Sequence, residues 1–240
     1  MNKILIAILM LVPWTGAFAG SRSNDNSQLT KASTVIDEIM RTPDNGIPTN
    51  LLNRAVCVGI VPSQLNAAFV VGGTYGRGVM VCREHGNGNW GAPSLFTLGG
   101  GSFGFQIGAK ATDVVFLVMN EHGAEKLLRD KVKLGADASV AAGPVGRTAA
   151  GDTDLKLHAE ILSYSRSRGA FAGVALNGAV LKQDRDDNTD LYGHPVEPAN
   201  VLFKGTVRPP TEAAEHLDAT LTKYSPHGGK RVEESALAQH

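Results

Sequence analysis

Gly99-Gly100-Gly101-Ser102-Phe103-Gly104-Phe105-Gln106-Ile107-Gly108 can be read in two ways, and the choice between them decides the fold. Gly100 to Gly104 matches G-x-S-x-G, the nucleophile elbow of α/β-hydrolases, and Asp113 and His158 follow in triad order. An elbow needs a strand, a sharp turn and then a helix opening at the serine. Here Phe103, Phe105 and Ile107 instead alternate with Gly104, Gln106 and Gly108, a period of two. That is strand, so the serine hydrolase built on Ser102 remains only an alternative.

The same period extends outward on both sides. Segments 55–61, 67–73, 78–83, 94–98, 102–108, 112–119, 155–164 and 170–182 read as strands separated by polar or glycine-rich turns, with His85-Gly86-Asn87-Gly88-Asn89 the clearest hairpin. Connections this short favour antiparallel pairing. The expected fold class is therefore α+β: a strongly curved antiparallel sheet, closing toward a barrel, flanked by helices at both ends. Apolar positions Leu29, Ala32, Val35, Ile36, Ile39 and Met40 form one helical stripe over 29–42, stopped by Pro43 and Asn45-Gly46. Shorter helices are expected at 49–54, 121–131 and after Asp184, and an amphipathic one at 211–224 capped by Thr211.

The 240 residues carry 23 basic and 23 acidic side chains, so no bulk positive field exists to hold nucleic acid. Twenty-eight glycines stand against 8 Phe, 2 Trp and 4 Tyr, well above the usual glycine share of about 7%. Ile4 to Val12 is apolar after Lys3, and Ala17-Phe18-Ala19 has the small-residue pattern of a cleavage site. The reading is a signal peptide 1–19, a mobile segment 20–28, one domain 29–224 and a flexible tail 225–240, exported to the periplasm or cell envelope. No cysteine follows the cleavage site to carry a lipid. Cys57 and Cys82 are either a disulfide, natural in an oxidising compartment, or two buried thiols, and the sequence leaves both open.

Gly72-Gly73-Thr74-Tyr75-Gly76-Arg77-Gly78 lacks the Gly-Lys-Ser/Thr ending of a phosphate loop and reads as a glycine-rich β-turn. The histidines show no metal-ligand spacing. Asp184, Asp186, Asp187, Asn188 and Asp190 do not match a calcium loop, so no metal or other cofactor is expected. Lys131 and Lys133 are two apart, as are Arg166 and Arg168, so each pair shares a face in extended chain. Lys110 and Arg147 lie in neighbouring turns. These six cations are the candidates for contacting anionic headgroups, against the simpler reading of a solvated charged face.

Taken together, several segments resemble the SYLF family. They are Val70-Val71-Gly72-Gly73 with Tyr75-Gly76-Arg77-Gly78-Val79, then Trp90, Pro93, Gly99-Gly100-Gly101-Ser102, Gln106-Ile107-Gly108 and Thr112-Asp113. Lys133 to Ser139, Ala142 to Arg147, and Ser163 to Gly169 with Phe171-Ala172-Gly173 complete the set. The resemblance covers about 36–193. It implies a lipid-binding module and not an enzyme: eukaryotic members bind phosphoinositides, fungal ones also bind and bundle actin, and bacterial ones are exported, often as lipoproteins. It also implies that the helix at 29–42 contributes to membrane contact. The partners expected are an anionic phospholipid or membrane surface and, alternatively, an envelope protein. Two departures stand out, since an anchor cysteine is missing and export makes actin an unsuited partner.

Overall fold

In the computed structural model the central alternation becomes one nine-stranded sheet between two layers of helix. The structure describes residues 17–42, 46–69, 71–103, 108–146, 159–167 and 170–226. In chain order the elements are α1 (Ala17–Met40), α2 (Thr49–Arg54), β1 (Cys57–Phe69), β2 (Val71–Cys82), β3 (Ser94–Phe103), β4 (Gly108–Val118), α3 (Glu121–Leu127), β5 (Lys131–Lys133), β6 (Val140–Ala142), β7 (Ile161–Ser167), β8 (Ala170–Gly173), β9 (Val180–Gln183), α4 (Arg185–Tyr192), α5 (Pro198–Leu202) and α6 (Glu212–Tyr224).

The sheet runs β5-β9-β3-β2-β1-β4-β7-β6, with β8 beside β7. Chain length forces it to curl. Strands spaced about 4.8 Å apart would set the two ends of a flat sheet about 34 Å from each other. Yet β5 and β6 are joined by 134–139, which reaches at most about 24 Å when fully extended. This link is further shortened by a turn, with Leu134 bridged to Ala138. Glu160 fastens it: its carboxylate accepts from the Ser139 amide at 2.8 Å and from Lys126 Nζ of α3 at 2.8 Å.

Both faces of the curl are buried, so the strands read as nearly continuous apolar runs whose alternate residues enter different cores. Val58, Ile60, Val79, Leu95 and Leu117 meet the stripe of α1 and the inner face of α6. Cys57, Met80, Phe96, Phe116, Leu181 and Leu202 fill the inside of the curl. Cys57 and Cys82 are Cα partners in the β1–β2 ladder, and their sulfurs are bonded at 2.04 Å.

Several expectations are corrected. Segments 55–61 and 67–73 do not form separate strands: a bulge at Ser63 (φ 53°), whose amide donates to Asp113, lets β1 run through, and β2 likewise absorbs the turn read at 72–78. The strand read at 170–182 is broken by a turn at Gly178 (φ 83°) into β8 and β9. The helix read at 121–131 ends at Leu127, and β6 pairs parallel to β7. The segment 20–28 belongs to α1, where Asp25 is held by Arg77 and Gln28 donates to the Arg77 carbonyl. Ser225 is no loose tail residue: it is fully buried, bonded to Arg83 and Trp90. Residues 1–16 of the leader and 227–240 of the tail lie outside the described residues.

Candidate functional site

Basic residues converge at the β5–β9 side of the sheet. Lys131 is the Cα partner of Lys182, and Lys133 lies two residues along on the same face. All three side chains are exposed, while Val132 and Leu181 between them are buried in the inner core. Apolar burial therefore dictates which phase of each strand carries charge to solvent. Like charges placed directly across two strands repel. Among the described residues no carboxylate lies within ion-pairing distance of these lysines. Asp130, next to Lys131 in sequence, accepts from Arg185 at 2.9 Å, and Asp137 accepts from the Lys133 amide at 2.7 Å.

The other candidates do not join them. Arg166 is occupied by Asp113 at 2.7 Å and by Glu38 of α1. Burial pulls its guanidinium down, but those two carboxylates outweigh that and raise it above the ordinary arginine value. Lys110 sits in β4 opposite Asn66 of β1, across the sheet from the lysine edge. Arg147 and Arg168 lie outside the described residues.

Two further cations, not singled out by the sequence reading, shape this arrangement. Lys182 is one; its signal is the alternation with buried Leu181 and Gln183, but its partner Lys131 is remote in sequence. Arg77 is the other. It bridges Asp25 of α1, at 2.5 Å, and Asp187 of α4, and so ties both helices to β2. Asp25 is fully buried, with Oδ2 finding no partner among the described residues, and burial pushes its carboxyl above the usual range. The acidic stretch that follows Asp184 is a helix, not a loop, with Asp184 capping it.

Ser102 lies inside β3 opposite Gly72, not at a strand-to-helix turn, and Asp113 is taken by Arg166 and the Ser63 amide. His158 is outside the described residues. The apolar stripe of the first helix is not available either. Leu29, Ala32, Val35, Ile36 and Ile39 are all buried against the sheet and α6. No described helix is long and apolar enough to cross a membrane, and no cluster of metal-ligating side chains occurs among the described residues.

Comparison with known proteins gives a consistent set of relatives. The family described as "Ysc84: Las17-binding protein actin regulator" matches residues 99–224. "SH3 domain-containing YSC84-like protein 1" of Homo sapiens is 32% identical over 214 residues, covering 86% of this chain and 62% of that protein. Its Xenopus laevis counterpart is 32% identical over 211 residues, 84% of this chain and 62% of that protein. "LAS seventeen-binding protein 3" of Saccharomyces cerevisiae is 32% identical over 217 residues, 85% of this chain and 46% of that protein. The chain thus spans less than two thirds of these relatives.

Proposed function

Because this chain belongs to the Ysc84 family, the SYLF proteins, we propose that it is a non-enzymatic docking module for anionic phospholipid surfaces, acting outside the cytoplasm after removal of 1–19. The observation that carries this reading is the exposed group Lys131, Lys182 and Lys133, whose mutual repulsion an anionic partner would relieve. Each basic residue near a charged membrane contributes about 1 kcal/mol, so three supply an affinity that is modest, reversible and screened by salt. Of the six candidate cations, Lys131 and Lys133 hold this role. Arg166 serves to fasten α1 to the sheet. No chemical step is assigned to Ser102.

Flotation with vesicles containing phosphatidylglycerol tests it. Mature protein rises with those vesicles and is released as salt increases, and changing Lys131, Lys133 and Lys182 to Gln lowers the affinity about 100-fold. Equal recovery on neutral vesicles would defeat the reading. The relatives' names, which describe binding to a protein, support a second reading in which an envelope protein takes the same surface. Lipid-independent capture of one partner, lost in the triple Lys→Gln variant, would favour it.

A further inference from the structure

The early turns of α1 are held unlike the rest of that helix. From Leu29 onward its stripe is buried in the apolar core, but Arg22-Ser23-Asn24-Asp25-Asn26-Ser27-Gln28 contains no apolar side chain. Serine, asparagine and aspartate are also poor helix formers. Polar contacts fix the stretch instead. Arg22 donates to the Leu191 carbonyl of α4 at 3.2 Å, Gln28 donates to the Arg77 carbonyl of β2, and Asp25 pairs with the Arg77 guanidinium at 2.5 Å. Its helical form depends on those contacts.

The pairing at Arg77 is unbalanced. One guanidinium faces Asp25 from α1 and Asp187 from α4, with Asp184 capping α4 and Asp190 three residues beyond Asp187 on the same helix. β3 places the uncharged Thr97 opposite Arg77, and Lys182 of β9 lies beyond it. Lys31 of α1 and Glu212 and Glu215 at the start of α6 are exposed to water. Asp25 has no exposed surface, and its Oδ2 finds no partner among the described residues. A carboxylate so placed holds its charge at a cost. Burial pushes Asp25 above its ordinary value of 3.8; the charges of Asp187 and Asp190 add to this, and the bond and charge of Arg77 offset it only in part. Burial likewise raises Asp184, which the Asp187 charge reinforces against the bond from the Asp187 amide.

We propose that residues 22–28 form a proton-held strap, seated on β2 and α4 while Asp25 carries a proton and lifting from them when that proton leaves. Once lifted, Asp25 returns to water and to its ordinary value. The seated state therefore binds the proton more tightly, and acid favours it. As pH rises above 3.8 the opening equilibrium grows about tenfold per pH unit for each such proton, and it levels off once the raised seated value is passed. Leu29 and the stripe behind it stay in the core, so only the start of the helix moves. Lifting strips one carboxylate from Arg77, which shares a cross-strand row with Thr97, Lys182 and Lys131. That consequence bears on the docking role proposed above, whereas the strap itself does not depend on it.

Hydrogen exchange read by mass spectrometry from about pH 4 to about pH 8, with the intrinsic chemical rate divided out, tests it. Protection of 22–28 falls about tenfold or more as pH rises and then levels off, while 29–39 keeps its protection. Asp25→Asn, which has no such proton to lose, stays protected with a flat profile. Asp187→Asn removes a charge that raises Asp25 and so moves the midpoint of the fall to lower pH, a shift that a merely structural bridge would not produce. Wild-type protection that does not change with pH would overturn the strap, as would an Asp25→Asn profile that still falls. Should 22–28 lift as pH falls, or stand unprotected at every pH in Asp25→Asn, the ion pair with Arg77 holds it instead and the proposal is wrong. Unchanged protection of 29–39 shows that each variant is folded. No membrane enters these readouts, so failure of the docking role would leave the strap standing.

Discussion

A Cβ at Gly59 would lie 2.1 Å from Cζ of the Phe116 ring, which occupies that position across the β1–β4 ladder. Gly78 stands in the same relation to Phe96, and the two rings meet edge to face at 5.7 Å. These glycines are sockets for the inner core. Gly59→Ala is expected to cost about 1–3 kcal/mol in urea unfolding, and an unchanged midpoint would contradict the socket. Glu160 contributes differently. Burial pushes its carboxyl up, but the bonds from Lys126 and from the amide and hydroxyl of Ser139 outweigh burial and hold it below its ordinary value of 4.5. A depressed folded value means the stabilisation is complete above that ordinary value and is lost as pH falls through the lower folded one. Glu160→Gln should therefore flatten the acid side of the stability profile and lower stability at neutral pH. A parallel acid limb in the variant would show that Glu160 is not responsible. Neither role is visible in a linear reading, because Gly59 meets Phe116, and Glu160 meets Lys126, only across strands or through α3.

At the scale of an element, α1 is the informative case. Its stripe was legible because helical period places Leu29, Ala32, Val35, Ile36 and Ile39 on one side, but period alone does not say what covers that side. The tertiary partner is the sheet together with α6. Carboxylates on α1 fasten it as well: Asp25 to Arg77, Glu38 to Arg166, and Asp37 to the Lys223 amine at 3.1 Å and the Tyr224 hydroxyl at 2.6 Å. The helix is thus a structural member. In hydrogen exchange its amides from 29 to 39 should be among the slow ones and stay slow on anionic vesicles. Loss of that protection on vesicles would mean that α1 leaves the sheet to insert. The final helix needed no such revision, since Thr211 does accept the Ala214 amide at 3.3 Å and Ala214, Leu217 and Leu221 are buried.

For the whole molecule, both cores share the same strands, so neither can melt while the other stays intact. Far-ultraviolet circular dichroism and Trp90 fluorescence should report one coincident denaturant transition, and separated transitions would refute the shared sheet. Trp90 is a suitable probe: its indole donates to the Ser225 carbonyl at 3.0 Å and its ring lies 3.9 Å from the buried Arg83 guanidinium. Burial pushes that guanidinium down to about 10. Reducing the Cys57–Cys82 bridge should lower stability by about 3 kcal/mol, because it frees a loop of separation 25 in the unfolded chain.

Strand periodicity, helix stripes and the Thr211 cap were readable from the order of residues because they depend on near neighbours, where backbone geometry repeats every two or 3.6 positions. The same local rule put Lys131 and Lys133 on one face and denied Ser102 a nucleophile elbow. Pairing between distant strands decided the rest: that Lys182 stands opposite Lys131, that Arg166 is spent on Asp113 and Glu38, and that α1 is covered. The lysine pairing and the two Arg166 ion pairs join residues 51 or more positions apart. They exist because a link too short for a flat sheet makes it curl, and a curled sheet determines which side chains reach water.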